Sequence, residues 1–86
     1  MSMLDEEINR LGIRMKDLTQ RVIPDFEARA QRLYARIIML VKDSPEREKL
    51  EQEYAKLSKE IRQRSDEMMR TKQEIDRLEI QKKINR

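Results

Sequence analysis

The sequence predicts an all-α protein: an antiparallel two-helix coiled-coil hairpin. Three observations predict it. Charged residues make up 43% of the 86-residue chain and aromatics 3%, with one Gly and two Pro, a composition of long amphipathic helices rather than of a mixed globule. Apolar residues recur with heptad spacing on both sides of Asp43-Ser44-Pro45. The two series also mirror each other. Ile37/Leu50, Leu33/Tyr54, Ala30/Leu57 and Phe26/Ile61 have residue numbers that add to 87, and Leu18/Met68, Leu11/Ile75 and Ile8/Leu78 add to 86. Two helices folded back on one another produce such a constant.

The whole chain, 1–86, reads as a single unit, with helix 1 expected over about residues 4–42, a turn at 43–44 and helix 2 over about 45–84. In helix 1, Leu4, Ile8, Leu11, Met15, Leu18 and Val22 alternate steps of four and three, the period of a left-handed supercoil. From Val22 to Phe26 to Ala30 both steps are four, so one residue is inserted beside Pro24. Proline lacks the N–H for the carbonyl four back and crowds that turn, so a kink near Pro24 is expected in an otherwise single helix. A break at Ile23, with Pro24 opening a new helix, is the alternative.

The turn is well marked. Ser44 suits the cap, Pro45 the first helical position, and Glu46 and Glu48 the positive end of the helix dipole. Helix 2 then carries Leu50, Tyr54, Leu57, Ile61, Arg64, Met68, Thr71, Ile75 and Leu78 without a break in period. Arg64 and Lys82 fall on this seam, where an aliphatic stem lies among apolar neighbours and the charge reaches water. Gly12 lies beside the seam and reads as a tolerated surface glycine.

Charge supports the same pairing. Arg14, Arg21, Arg29 and Arg36 flank the seam of helix 1, and Glu53, Glu60, Glu67 and Glu74 that of helix 2. An antiparallel arrangement brings Arg36 to Glu53, Arg29 to Glu60, Arg21 to Glu67 and Arg14 to Glu74. All four contacts are attractive, and they select partner and direction more than they stabilise. A parallel pairing of helix 2 with itself sets Glu74 against Glu79 and gains only Glu67 against Lys72. A domain-swapped dimer uses the same contacts as the hairpin.

A second apolar surface lies off the seam. Tyr34, Ile38 and Val41 step by four and three, flanked by Ala35 and Met39, and the run Ile37–Val41 is apolar nearly all round a helix. Two helices cover one stripe each, so this end is expected to face water, and contiguous exposed apolar surface marks an interaction site. Tyr34, Ala35, Ile38, Met39 and Val41 are therefore the predicted partner-binding residues. The partner is expected to be a protein with an amphipathic helix, or a second copy completing a four-helix bundle. Six Met add adaptable contact chemistry.

Other classes find little support. With no His and no Cys, the commonest general base and the commonest transition-metal and zinc ligands are missing. Carboxylate neighbours such as Glu6/Glu7 and Asp66/Glu67 lie on exposed helical turns, and no Gly-rich phosphate loop or nucleophile–base pair is present. No catalytic, cofactor or metal residue, no cofactor and no small-molecule substrate is expected. The net charge of +3 raises nucleic-acid binding as an alternative. The charges interleave, however, with 8 basic against 7 acidic residues in 1–43 and 12 against 10 in 44–86, and no aromatic row is placed for base stacking. No apolar run approaches the roughly 18 residues of a membrane span. The N-terminus lacks a basic flank followed by an apolar core, so the cytoplasm is the expected location.

In length, turn position and helix count the chain resembles bacterial secretion needle subunits and their small chaperones, although such needle subunits are usually far less charged. That resemblance implies a second alternative, a structural building block of a filament or secretion apparatus. The leading expectation is a non-enzymatic helical adaptor, assembly factor or chaperone.

Overall fold

The computed structural model describes residues 2–85. All regular structure among them is helical: α1 spans Met3–Asp17, a π turn spans Leu18–Val22, α2 spans Ile23–Ile37 and α3 spans Pro45–Ile84. The molecule measures 64 × 16 × 13 Å, and α3 lies against both α1 and α2.

α1 and α3 each begin on a serine. Ser2 is extended (φ −76°, ψ 154°) and its Oγ accepts from the Asp5 amide, while Asp5 and Glu6 face the dipole. Ser44 does the same for α3 at φ −74°, ψ 145°, accepting from the Arg47 amide at 3.2 Å, with Pro45 next and Glu46 and Glu48 in the first turn. Lys82 and Lys83 close α3, where cations complement the exposed carbonyls.

The inserted residue near Pro24 appears as the π turn. The Ile23 amide donates to the carbonyl of Leu18, five residues back. Backbone angles stay right-handed through Leu18, Val22 and Ile23, so the helix is widened rather than broken. The wider turn makes room where the Pro24 ring would otherwise meet the Gln20 carbonyl. It also absorbs the extra residue, so Val22, Phe26 and Ala30 return to the face that Leu11, Met15 and Leu18 occupy. Leu18, the first residue of the π turn, is 0% exposed.

Every position of the apolar ladder is buried or half-buried. Leu33, Ile37 and Leu50 form the buried cluster at the turn end, with Leu40, Tyr54 and Leu57 against it. At the opposite end Leu78 is buried and Lys82 pairs with Asp5. Midway, the Thr19 hydroxyl donates to the Met15 carbonyl at 2.9 Å and lies 3.1 Å from Met68 Sδ. Gly12 faces open space.

The first helical arm ends earlier than expected, at Ile37 rather than near residue 42. Ile38 is its C-cap. Beyond it the chain tightens, with Met39 and Leu40 amides bonding the Arg36 and Ile37 carbonyls at 3.2 and 3.1 Å. This turns Leu40 onto the core cluster. Asp43 takes φ 65°, a conformation that Asp tolerates better than most residues. The Arg47 guanidinium then closes the connection by donating to the Leu40 carbonyl at 3.1 Å and to Glu51 at 2.9 Å.

Candidate interaction surface

The turn end carries the exposed apolar residues. Tyr34 is 54% exposed, Ile38 57%, Met39 83% and Val41 78%, and Ala35 beside them is exposed as well. Tyr34 and Ala35 project from the last turn of α2. Ile38, Met39 and Val41 lie past its end, not on continued helix as their spacing suggested. They are presented by the connection because Leu40 takes the inward position. Elsewhere Ile13 and Met69 are exposed singly, which is ordinary, while Met3, Ile80 and Ile84 are exposed at the opposite end, Ile80 and Ile84 one turn apart on α3.

Tyr34 is not isolated. Its ring centroid lies 6.0 Å from that of Tyr54 on α3, the planes tilted by 47°, within the favourable range for aromatic pairs. Together with Glu27, Ala30, Gln31 and Ile61 they line a groove of about 500 Å³. Across the helix pair a smaller groove of about 330 Å³ is lined by Ala35, Arg36, Met39, Leu40, Glu46 and Leu50. The spacing of Tyr54 places it on the seam. A half-buried Tyr needs an outlet for its hydroxyl, and that requirement could have flagged it as part of the surface.

The four predicted cross-helix charge pairs are not those observed. Arg14 pairs with Glu67 at 2.9 Å, one heptad nearer the turn than Glu74. Arg21 turns back to Asp17 at 2.7 Å, Glu60 pairs with Arg64 at 3.4 Å, and Glu74 pairs with Arg77. Arg29 lies 5.8 Å from the Phe26 ring centroid. Arg36 and Glu53 form no ion pair among the described residues. The cause is local competition. A partner three or four residues away on the same helix sits at a fixed short distance, whereas reaching across orders two long side chains. Arg21 takes Asp17, which leaves Glu67 to Arg14; Arg77 occupies Glu74. The result is a continuous network midway along the molecule, Arg21–Asp17–Arg14–Glu67–Arg64–Glu60. Arg64 beside Val22 keeps its head in this network, as expected for a long side chain at a seam position.

The titrating groups report the same pairs. The Arg21 hydrogen bond holds Asp17 below the usual carboxylate range. The Lys82 hydrogen bond, assisted by Ser2, does so for Asp5, and Arg77 for Glu74. These are exposed, charge-stabilising arrangements. None has the burial that raises a carboxyl towards general-acid service. Among the described residues no group of three or more acidic side chains is placed to hold a metal ion, and no helix is long and apolar enough to cross a membrane.

No protein-family model matches the chain, and neither a curated protein nor a solved structure matches it.

Proposed function

We propose that the chain works as an antiparallel two-helix hairpin whose turn end docks onto protein. In this reading it is a non-enzymatic adaptor, assembly factor or chaperone that binds another helical protein or a copy of itself. The observation that carries it is the concentration of exposed apolar side chains at one end, Tyr34, Ile38, Met39 and Val41, beside a groove floored by Ala30 and Ile61. Water contact with such a surface is unfavourable by roughly 25 cal/mol per Å², and covering it drives association. An amphipathic helix laid along the Tyr34–Tyr54 groove would cover its apolar lining, and the flexible Met39 thioether in the neighbouring groove suits adaptable contacts.

The seam serves this surface by fixing Ile37 and Leu50 side by side, which sets the geometry of the connection. Site-specific photo-crosslinking in cells tests the reading. A photoreactive residue replacing Ile38 gives discrete protein adducts, and one replacing the exposed Gln63 on α3 does not. Equal labelling from both sites, or none from either, refutes a docking role for the turn end.

A further inference from the structure

We infer that the occupant of the turn-end surface is a second copy of this chain, paired about a two-fold axis so that the two turn ends form a local four-helix bundle. The inference rests on the docking role proposed above and names the partner.

Area is the first reason. The molecule exposes 7032 Å², whereas a compact monomer of its 10.5 kDa mass exposes about 5,400 Å². The surplus of about 1,600 Å² is roughly twice the 800 Å² that each partner contributes to a stable interface. A rod 64 Å long and 16 by 13 Å across holds that surplus along its flanks, so overlap of the turn-end halves alone draws on about half of it, roughly 800 Å² from each copy.

Charge is the second reason. The last ten residues of α2, Ala28–Ile37, carry Arg29, Arg32 and Arg36 and no acid. The first ten of α3, Pro45–Tyr54, carry Glu46, Glu48, Glu51 and Glu53 against Arg47 and Lys49, a net −2. Among these residues the one ion pair is Arg47–Glu51, and Arg29 rests on Phe26. Asp25 and Glu27 precede the α2 stretch and Lys56 and Lys59 follow the α3 stretch, so the turn end alone offers a positive stretch of α2 and a negative stretch of α3, whose side chains, Arg47 and Glu51 apart, make no ion pair among the described residues. Two copies related by a two-fold axis set α2 of each against α3 of the other, so both contacts attract. An α2-on-α2 arrangement repels, which selects the register of approach. Midway and at the other end the cross-helix pairs Arg14–Glu67 and Asp5–Lys82 are already made.

Light scattering across a concentration series, combined with complementary charge reversal, tests this. The purified chain is expected to scatter as a dimer of twice 10.5 kDa, and Ile38→Asp to scatter as a helical monomer. Arg32→Glu/Arg36→Glu and Glu46→Lys/Glu53→Lys should each weaken the dimer at least tenfold when alone. Mixed, they should form a one-to-one heterodimer. Rescue in trans requires contact between chains. A wild-type monomer at several hundred micromolar overturns the inference, as does a dimer indifferent to Ile38→Asp, which is the signature of domain swapping. The photoreactive residue at position 38 separates the two proposals. Adducts with a different polypeptide and none with this chain overturn self-pairing and leave the docking role standing; no adduct at all overturns both.

Discussion

Leu18 provides the sharpest test of the fold. It is the most deeply enclosed side chain in the molecule, 0% exposed, and it opens the π turn. Its neighbour Thr19 is exposed and back-bonds to Met15. The π turn therefore holds one particular side chain in the seam, at the level of Met68. Leu18→Ala removes buried apolar volume that other proteins lose at about 2–5 kcal/mol. Two helices without a second layer can close around part of the gap, so the lower half of that range, about 2–3 kcal/mol, applies here. A domain of this size has a total stability on the order of 4–13 kcal/mol, so the loss is a large fraction of it. Urea melts followed by helical circular dichroism give the measurement. With a slope of about 1–1.5 kcal/mol per molar urea, the midpoint should fall by about 2 M. Ile13→Ala, at an exposed position of α1, should move it by less than about 0.5 M, since surface truncations stay within about 0.5 kcal/mol. Equal effects of the two substitutions would refute the burial of Leu18 and with it the π-turn register.

Three further outcomes follow from particular contacts. Gly12→Ala should stabilise by up to about 1 kcal/mol in the same melts, because the added methyl meets open space and Ala is the better helix former. A double-mutant cycle on Arg14 and Glu67 should return a coupling of about 0.2–1 kcal/mol, while the same cycle on Arg14 and Glu74 should return none. Asp5, Asp17 and Glu74 are held below their ordinary values of 3.8, 3.8 and 4.5. Their folded forms therefore bind protons less readily than the unfolded chain, and their contribution is fully present above those ordinary values. It is lost as pH falls through the lowered ones, so melting temperature should hold from neutral pH to about pH 5 and decline below about pH 4, less steeply in high salt.

How much of this was legible in the sequence varied by element. The Ser44-Pro45-Glu46 start of α3 was readable because capping chemistry is local to a few residues. So was the ladder, since every one of its positions is at least half-buried. The four-and-four spacing at Val22, Phe26 and Ala30 showed that a residue was inserted. It did not show how, because a kink, a break and a π turn share that spacing, and only the Ile23–Leu18 hydrogen bond separates them. The end of α2 was hidden by Ile38–Val41, whose uninterrupted apolar character reads equally as helix or as a folded turn. The inward rotation of Leu40 and the Arg47 bond to its carbonyl depend on packing that periodicity does not encode. Arg14, Arg21, Arg29 and Arg36 were recognisable as a row, yet their partners were not, because Arg14, Arg21 and Arg29 each sit within reach of a same-helix acid, Asp17 or Asp25, while Arg36 has none and still forms no ion pair among the described residues. Exposure at Tyr34 and Ile38 was foreseeable from helix count alone, whereas the part played by Tyr54 was not.

The proposal that matters most is that the chain doubles back at Ser44. Pulsed electron resonance between spin labels at the exposed positions Glu6 and Gln81 measures it directly, with labelled protein diluted in unlabelled protein so that only distances within one molecule register. Doubling back places the labels within about 25 Å, since two packed helices lie 8–10 Å apart and each label adds its own tether. A single extended helical rod would separate them by about 110 Å at 1.5 Å per residue, and a distance distribution lacking the short component would contradict the hairpin and everything built on it.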